Sequence, residues 1–513
     1  MQPPGSVIEP AAPGAVRPTP ARLAALERHR PRVAAALVFA VALFFRLGVI
    51  LRKGGIHGIM GYDCGVYFAG ADALLHGRLP YRDFTMVHPP GITLALTPFA
   101  ALTKVMTDWH AFEVATLAFC LIGATDAVLV SLVCRRLGIA TRGAVVAGLF
   151  YAVWYGSIGA EFQVKLEPLG NLLFLCGLLA LLRDERRSTR WSAFLAGAVV
   201  GLPVAVKIWW IVPVLLVIGW HGMRRGSVRA GGEVLLGAAA SVTAVCLPFF
   251  VADPSGMWRS VITGQLGRPR TKPITKRLAD LSTIPDLMRH LTTSELQLIA
   301  TAVVVGLATL LALGWRGSRR ARFLSVVSVV QLGVLLLSPS WFGYYCDYLA
   351  VGLAVTVGAA VVAVRRPSLV SSPARLITVG LLAITALVTV AGTTAPTTYD
   401  GAAKLTRVVS GDRCVMSNNQ TVLLRLDALS RGLADGCPNW IDVSGRDMGP
   451  DSPAALKSAH SNWTLALLRY LRSGDAAVMW PNDYYPGVRA GLRQDGVLAQ
   501  IGPNVIYRHG SHP

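Results

Sequence analysis

The feature that most constrains this chain is a succession of apolar runs, each long enough to cross a bilayer. A crossing takes roughly 20 residues of helix, because lipid offers no water to satisfy an open backbone. Runs centred near Leu43, Gly123, Phe150, Leu175, Val199, Leu215, Ala240, Val304, Val330, Leu353 and Leu382 meet that length, which makes about eleven spans. The run from Trp191 to Trp220 is too long for one upright span, and Pro203, Lys207 and Pro213 interrupt it. It reads as two short spans with Lys207 at the outer tip.

Arginine positions test that layout. Arg135, Arg136 and Arg142 follow the second span, and Arg183, Arg186, Arg187 and Arg190 follow the fourth. Arg224, Arg225 and Arg229 follow the sixth, Arg316, Arg319, Arg320 and Arg322 the eighth, and Arg365, Arg366 and Arg375 the tenth. With a cytoplasmic N-terminus every cluster falls inside, as the positive-inside rule requires. Counting Trp191 to Trp220 as one span breaks the agreement. The loop after the first span and the C-terminus are therefore expected outside.

A mean hydropathy of +0.51 and only 15% charged residues exclude a soluble protein of 513 residues. The net charge of +21 would suggest nucleic acid in a soluble chain, but basic cytoplasmic loops account for it here, so no nucleic-acid partner is expected. Residues 1–32 are rich in Pro and Ala and read as a disordered cytoplasmic tail. The run starting near Val33 lacks a cleavage site after it and stays as a span. The expected fold class is mainly α: a polytopic transmembrane helical bundle over 33–394, then a small C-terminal α/β extracytoplasmic domain over 395–513. In that domain 476–480 and 497–502 read as strands and 454–472 as a helix, with Asp451 or Ser452 available as its cap. None of the eight cysteines forms a C-x-x-C pair, and Cys120, Cys134, Cys176 and Cys246 fall in apolar runs as packing residues. Cys414 and Cys437 lie in the polar segment, where an oxidising outer compartment would allow a disulfide.

Between Gly61 and Gly91 the chain reads GYDCGVYFAGADALLHGRLPYRDFTMVHPPG. Asp63 sits just past the first span, and Val66, Tyr67, Ala69, Leu74 and Leu75 make the apolar face of a short surface helix. Gly77 can stop that helix, Pro80 stiffens the next turn, and His88-Pro89-Pro90-Gly91 fixes an extended bend. Within the outer loop 52–108 this holds an acid on a rigid segment at a membrane face.

An acid directly after the first span, a short helix, G-x-x-P-Y-x-D-F and a Pro-Pro corner resemble the first outer loop of the GT-C superfamily of integral-membrane glycosyltransferases. The style is nearest to bacterial relatives of protein O-mannosyltransferases and aminoarabinose transferases. The resemblance implies a multi-pass enzyme of the plasma (inner) membrane that serves the cell envelope. It would move a hexosyl or pentosyl group from a polyprenyl-phosphate donor to a glycolipid, glycan or protein acceptor on the outer face. It makes Asp63 the catalytic or metal-binding acid. It also implies a second acid in the next outer loop, Gly159 to Pro168, with Glu161 and Glu167 both open. Lys207, ending G-L-x-x-A-x-K, is similar to a phosphate-binding lysine of these transferases. His88 departs from the pattern, because aminoarabinose transferases carry lysine before their Pro-Pro, and a phosphate contact there would depend on an imidazole.

Chemistry sets its own demands. Transfer to a hydroxyl needs a base for the proton and positive charge for the departing phosphate. Asp63 is the candidate base, or else an interfacial helix cap. Asp83 is a second acid, or a turn residue paired with Arg82. Lys165 is a phosphate contact, or a partner of Glu161 or Glu167 that anchors the loop. Lys207 binds phosphate or snorkels to the outer surface. Arg259, Arg268, Arg270, Lys272, Lys276, Arg277 and Arg289 crowd an outer loop, where basic residues should be few. They make a phosphate clamp led by Arg268 and Arg270, or they meet anionic headgroups. Tyr67, Tyr344 and Tyr345 could contact sugar or lipid, although the stretch Trp341 to Tyr348 also suits a headgroup belt. A divalent metal stays open: carboxylates can bind one, but no H-x-x-E or D-x-D spacing argues for it. The rival class is a transporter or flippase for a lipid-linked saccharide, which should hold its charges near the midplane instead of at outer span ends. A third reading is a noncatalytic scaffold for the C-terminal domain.

Overall fold

The apolar runs form helices in the computed structural model, which describes residues 20–52, 55–58, 61–183, 189–268, 270–282, 291–364, most of 380–390, 401–447, 462–479, 486–494, 497–501 and 504–508. Helix α1 (Pro20–Ile50) begins inside the expected tail, and the rest of that tail lies outside the described residues. The loop that follows carries α2 (Tyr62–Leu75) and α3 (Gly91–Ala100). Next come α4 (Asp108–Arg136), α5 (Thr141–Val153), α6 (Tyr155–Glu161), α7 (Leu166–Leu181), α8 (Arg190–Val206), α9 (Ile211–Arg225) and α10 (Val228–Ala252). After a segment of short helical turns, α11 (Ile274–Asp280) leads to α12 (Thr293–Gly314), α13 (Arg319–Leu337) and α14 (Asp347–Ala363).

Among the described residues, six helices are long and apolar enough to cross a bilayer, and the pair α5 and α6, bent by 55°, makes a seventh if counted as one span. Helices α7 and α8 are apolar but shorter. The run near Leu382 lies partly outside the described residues. Local chemistry marks the helix ends. Thr107, Ser227 and Ser318 cap α4, α10 and α13, and Thr292 forms a capping box with Glu295 at the start of α12. The break at Lys207 falls where the sequence reading has it: α8 ends at Val206, Lys207 is extended, and one 3-10 turn leads into α9. Helices α8 and α10 pack at backbone range, since a Cβ on Gly201 would lie 2.6 Å from the Ala238 Cα.

The C-terminal segment adds a four-stranded sheet of order β1-β2-β4-β3, with β1 (Val415–Ser417), β2 (Ala476–Met479), β3 (Val497–Ile501) and β4 (Asn504–Arg508). β1 runs parallel to β2, and β4 is antiparallel to both β2 and β3. The helix expected over 454–472 is seen as Asn462–Leu471, while Asp451 and Ser452 lie outside the described residues. Cys414 and Cys437 are bonded, with Cα atoms 5.6 Å apart.

This domain is continuous with the loop that follows α1. Phe68 of α2 and Phe112 of α4 share one apolar cluster with Val422, Leu424, Leu429, Val478 and Ile506. Polar contacts fix the same joint. The Asp108 carboxylate accepts from the Leu429 and Ser430 amides (2.9 and 3.1 Å), and Asp427 accepts from the Asp108 amide at 2.8 Å. Gly65 lets the domain reach α2, because a Cβ there would lie 2.5 Å from the Thr421 amide nitrogen.

Candidate active site

Asp63 lies in the first turn of α2, where the free amides of a helix start favour an anion. Its hydrogen bonds go to partners far away in sequence. Lys165 Nζ, on the residue that precedes α7, donates to Asp63 Oδ2 at 2.8 Å, and Tyr344 Oη donates to the same oxygen at 2.6 Å. Lys165 also sits over the Tyr344 ring, 4.0 Å from its centroid. Burial alone would raise the Asp63 carboxyl; the Lys165 charge and the two hydrogen bonds outweigh it and hold the group at about 2. The side chain keeps 34% of its surface exposed and faces a cavity of about 510 Å³.

That cavity gathers much of what the sequence singled out. Asp63, Tyr67, His88, Lys207, Arg268, Tyr344 and Tyr345 all line it. Lys207 does not snorkel: it is 2% exposed, 2.5 Å from Glu167 Oε1, and 3.9 Å from the ring centroids of both Trp209 and Tyr345. The cation is thus held at the α8–α9 break by a buried carboxylate and two aromatic faces. His88 is buried, and burial, then the Lys207 and Arg268 charges, push it well below the usual histidine range, so its imidazole is neutral. Arg268 also reaches Ser340 Oγ at 3.4 Å.

Other candidates fall elsewhere. Asp83 closes the turn at Pro80, accepting from the Leu79 amide at 2.7 Å and pairing with Arg82, and it does not line the cavity. That turn is strained, with Tyr81 at a φ of +72°, and the Tyr81 hydroxyl donates to the His88 carbonyl at 2.7 Å, which ties the turn to the Pro-Pro corner. Glu161 lies inside the bundle, paired with Arg46 and accepting from Tyr151 Oη at 2.7 Å. Glu167 supports Lys207 from below, and Lys165 supports Asp63; neither lines the cavity. Arg270 is exposed and borders a second, smaller hollow of about 290 Å³.

The basic loop therefore divides by role. Arg259 and Arg268 line the cavity. Arg277 is buried at the C-terminal end of α13, where it donates to the carbonyls of Leu335, Leu336, Ser338 and Pro339. Those carbonyls have no partner within the helix, so a guanidinium there is a C-terminal cap. Lys272 and Lys276 pair with Asp280. Arg289 lies outside the described residues.

Sequence reasoning missed three contributors. Arg46 is buried in the first span, and its signal was a lone charge in an apolar run. Asp442 and Ser444 come from the C-terminal domain and line the cavity beside Asp63, with no motif to announce them. Asp63 Oδ2 already serves Lys165 and Tyr344, so a divalent cation would have to bind through Oδ1. Among the described residues no three His, Cys, Asp or Glu side chains converge to hold one.

Residues 84–339 match the family described as glycosyltransferase family 87. No curated protein matches the sequence. Among solved structures, the chain is similar to ArnT from Cupriavidus metallidurans in the apo state, with a TM-score of 0.60 at 15% identity over 92% of this chain and 97% of that one. The same protein bound to undecaprenyl phosphate gives 0.54 at 13% identity, over 92% and 97%. The archaeal oligosaccharyltransferase AglB from Archaeoglobus fulgidus gives 0.56 at 11% identity, over 88% and 70%. At such identities the likeness is one of fold, and the family match adds the chemistry. The chain is a membrane glycosyltransferase with the GT-C fold.

Proposed function

We propose that this glycosyltransferase moves a sugar from a polyprenyl-phosphate donor to a glycolipid, glycan or protein acceptor on the outer face of a bacterial plasma membrane. The observation that carries the reading is one cavity lined by Asp63 together with Lys207, Arg259 and Arg268. It fits a ligand that is anionic at one atom group and reacts at a neighbouring carbon. Relatives of the same fold have been seen with undecaprenyl phosphate and with dolichol-phosphate, which supports the donor class. The arginine clusters support about eleven spans, a cytoplasmic N-terminus and an extracytoplasmic C-terminus.

In this reading the acceptor hydroxyl attacks the anomeric carbon, the bond from that carbon to the phosphate oxygen breaks, and the lipid phosphate leaves with the electron pair. Glu167 offsets the charge of Lys207, so Arg259 and Arg268 supply the net positive charge for the leaving group. His88 is neutral and contributes a hydrogen bond instead of a counter-charge. Asp63, ionised at any physiological pH, accepts a hydrogen bond from the attacking hydroxyl. It takes the proton as the new bond forms and the hydroxyl becomes acidic. Lys165 and Tyr344 position that carboxylate.

The test is Asp63→Asn, assayed in membranes with undecaprenyl-phosphate sugars at matched protein level. Loss of general-base chemistry should lower transfer by about 100- to 10,000-fold. Activity within a few-fold of wild type removes Asp63 from the reaction, and a wild-type protein that uses no polyprenyl-phosphate sugar removes the donor class.

A further inference from the structure

We propose that Asp442, on a loop of the C-terminal domain, binds the acceptor hydroxyl, so that this domain selects the acceptor. The assignment rests on the polyprenyl-phosphate reading above and adds to it which part of the chain meets the second substrate.

Asp442 is buried yet lines the cavity together with Ser444. Its Oδ1 accepts from the Gly445 amide at 2.7 Å, from Tyr62 Oη at 3.1 Å and from Ser444 Oγ at 3.3 Å. Tyr62 Oη in turn accepts from the Ser444 amide at 3.0 Å. Tyr62 is the chain neighbour of Asp63, so one turn of α2 sets both carboxylates. Among the described residues no hydrogen bond reaches Asp442 Oδ2, although three hold Oδ1. The carboxylate is therefore oriented with one oxygen uncommitted.

A carboxylate in a cavity built for an anionic donor repels the phosphate. Its ligand must offer a hydrogen, and a sugar or side-chain hydroxyl does so. Origin in the chain separates acceptor from donor. Lys207 stands at the break after apolar helix α8, and Arg259 and Arg268 lie on the segment that follows apolar helix α10, so these cations come from the membrane-spanning part of the chain, where a lipid-borne phosphate arrives. Asp442 and Ser444 come instead from the polar domain, on the side a water-borne hydroxyl approaches. Burial, with the nearby Asp63 charge adding to it, raises the Asp442 carboxyl above its ordinary range, which strengthens it as a hydrogen-bond acceptor.

The experiment uses the full chain in lipid nanodiscs, with undecaprenyl-phosphate mannose and undecaprenyl-phosphate arabinose as donors and a panel of octyl glycosides as acceptor probes. Losing a hydrogen bond to a charged group should raise the acceptor KM of Asp442→Asn by about 10- to 100-fold. The donor KM and the melting midpoint should stay at wild-type values. Should Asp442→Asn melt early, Tyr62→Phe decides, since it loosens the carboxylate without removing it and should raise the acceptor KM alone. An unchanged acceptor KM, or a rise confined to the donor KM, overturns the assignment and leaves the donor class standing. A wild-type protein that transfers from neither donor fails the polyprenyl-phosphate reading and takes this assignment with it.

Discussion

Lys165 Nζ lies 2.8 Å from Asp63 Oδ2, and the lysine is 3% exposed while the carboxylate is 34% exposed. The buried cation thus holds a charge that the cavity can still reach. Because Asp63 is depressed to about 2, below the unfolded value of about 3.9, the stabilisation it brings is present above that unfolded value and is lost as pH falls toward 2.

Lys165→Met leaves burial as the dominant influence on Asp63, and burial raises a carboxyl. The acid limb of the kcat/KM profile should therefore move to higher pH, with less change on the alkaline side. A pH profile of transfer in matched membranes checks this, and an unmoved acid limb would assign Lys165 to the loop alone.

Lys207 and Glu167 are both buried, so removing one strands the other. Lys207→Met should cost about 3–5 kcal/mol of stability, whereas Lys207→Met with Glu167→Gln should recover part of it. Thermal unfolding of the two single variants and the double variant gives the cycle. Donor turnover should fail in both variants that lack the lysine.

The two arginines of the expected clamp should behave differently. Arg268→Gln removes a cavity cation and should raise the donor KM by about tenfold, while Arg270→Gln should leave it near wild type because that side chain is exposed outside the cavity. Steady-state kinetics at constant ionic strength separates them. Equal effects would point to a diffuse headgroup attraction.

The Cys414–Cys437 bond closes a loop of 23 positions and should contribute roughly 3 kcal/mol to the C-terminal domain. Arg78, just past α2, donates to the Cys437 carbonyl at 2.8 Å, so opening the bond also loosens the segment that carries the active-site corner. Replacing both cysteines by serine should lower the melting midpoint and the transfer rate together. Alkylation of both thiols in native membranes would contradict the bond and the oxidising side it implies.

The apolar helices, the break at Lys207 and the short helix beside Asp63 were legible in the sequence, because each follows from local chemistry. Apolar length, a proline and lysine inside an apolar run, and an apolar helix face closed by a glycine act within a few residues of chain. The roles of the charged candidates were not legible, because each depends on which distant group it meets. Lys165 reads as a phosphate contact until Asp63 stands beside it, and Glu161 as a catalytic acid until Arg46 does.

The sequence by itself determined a multi-pass helical protein with an acid and several cations near span ends, since the bilayer imposes hydropathy and charge on each segment separately. Only the tertiary structure decided which of those charges share a cavity. It left Asp83 in a turn, sent Arg277 to a helix end, and brought Asp442 from the last domain to within reach of Asp63. The physical reason is that a buried charge takes its function from its partner, and partners here lie 40 to 380 positions apart in the chain.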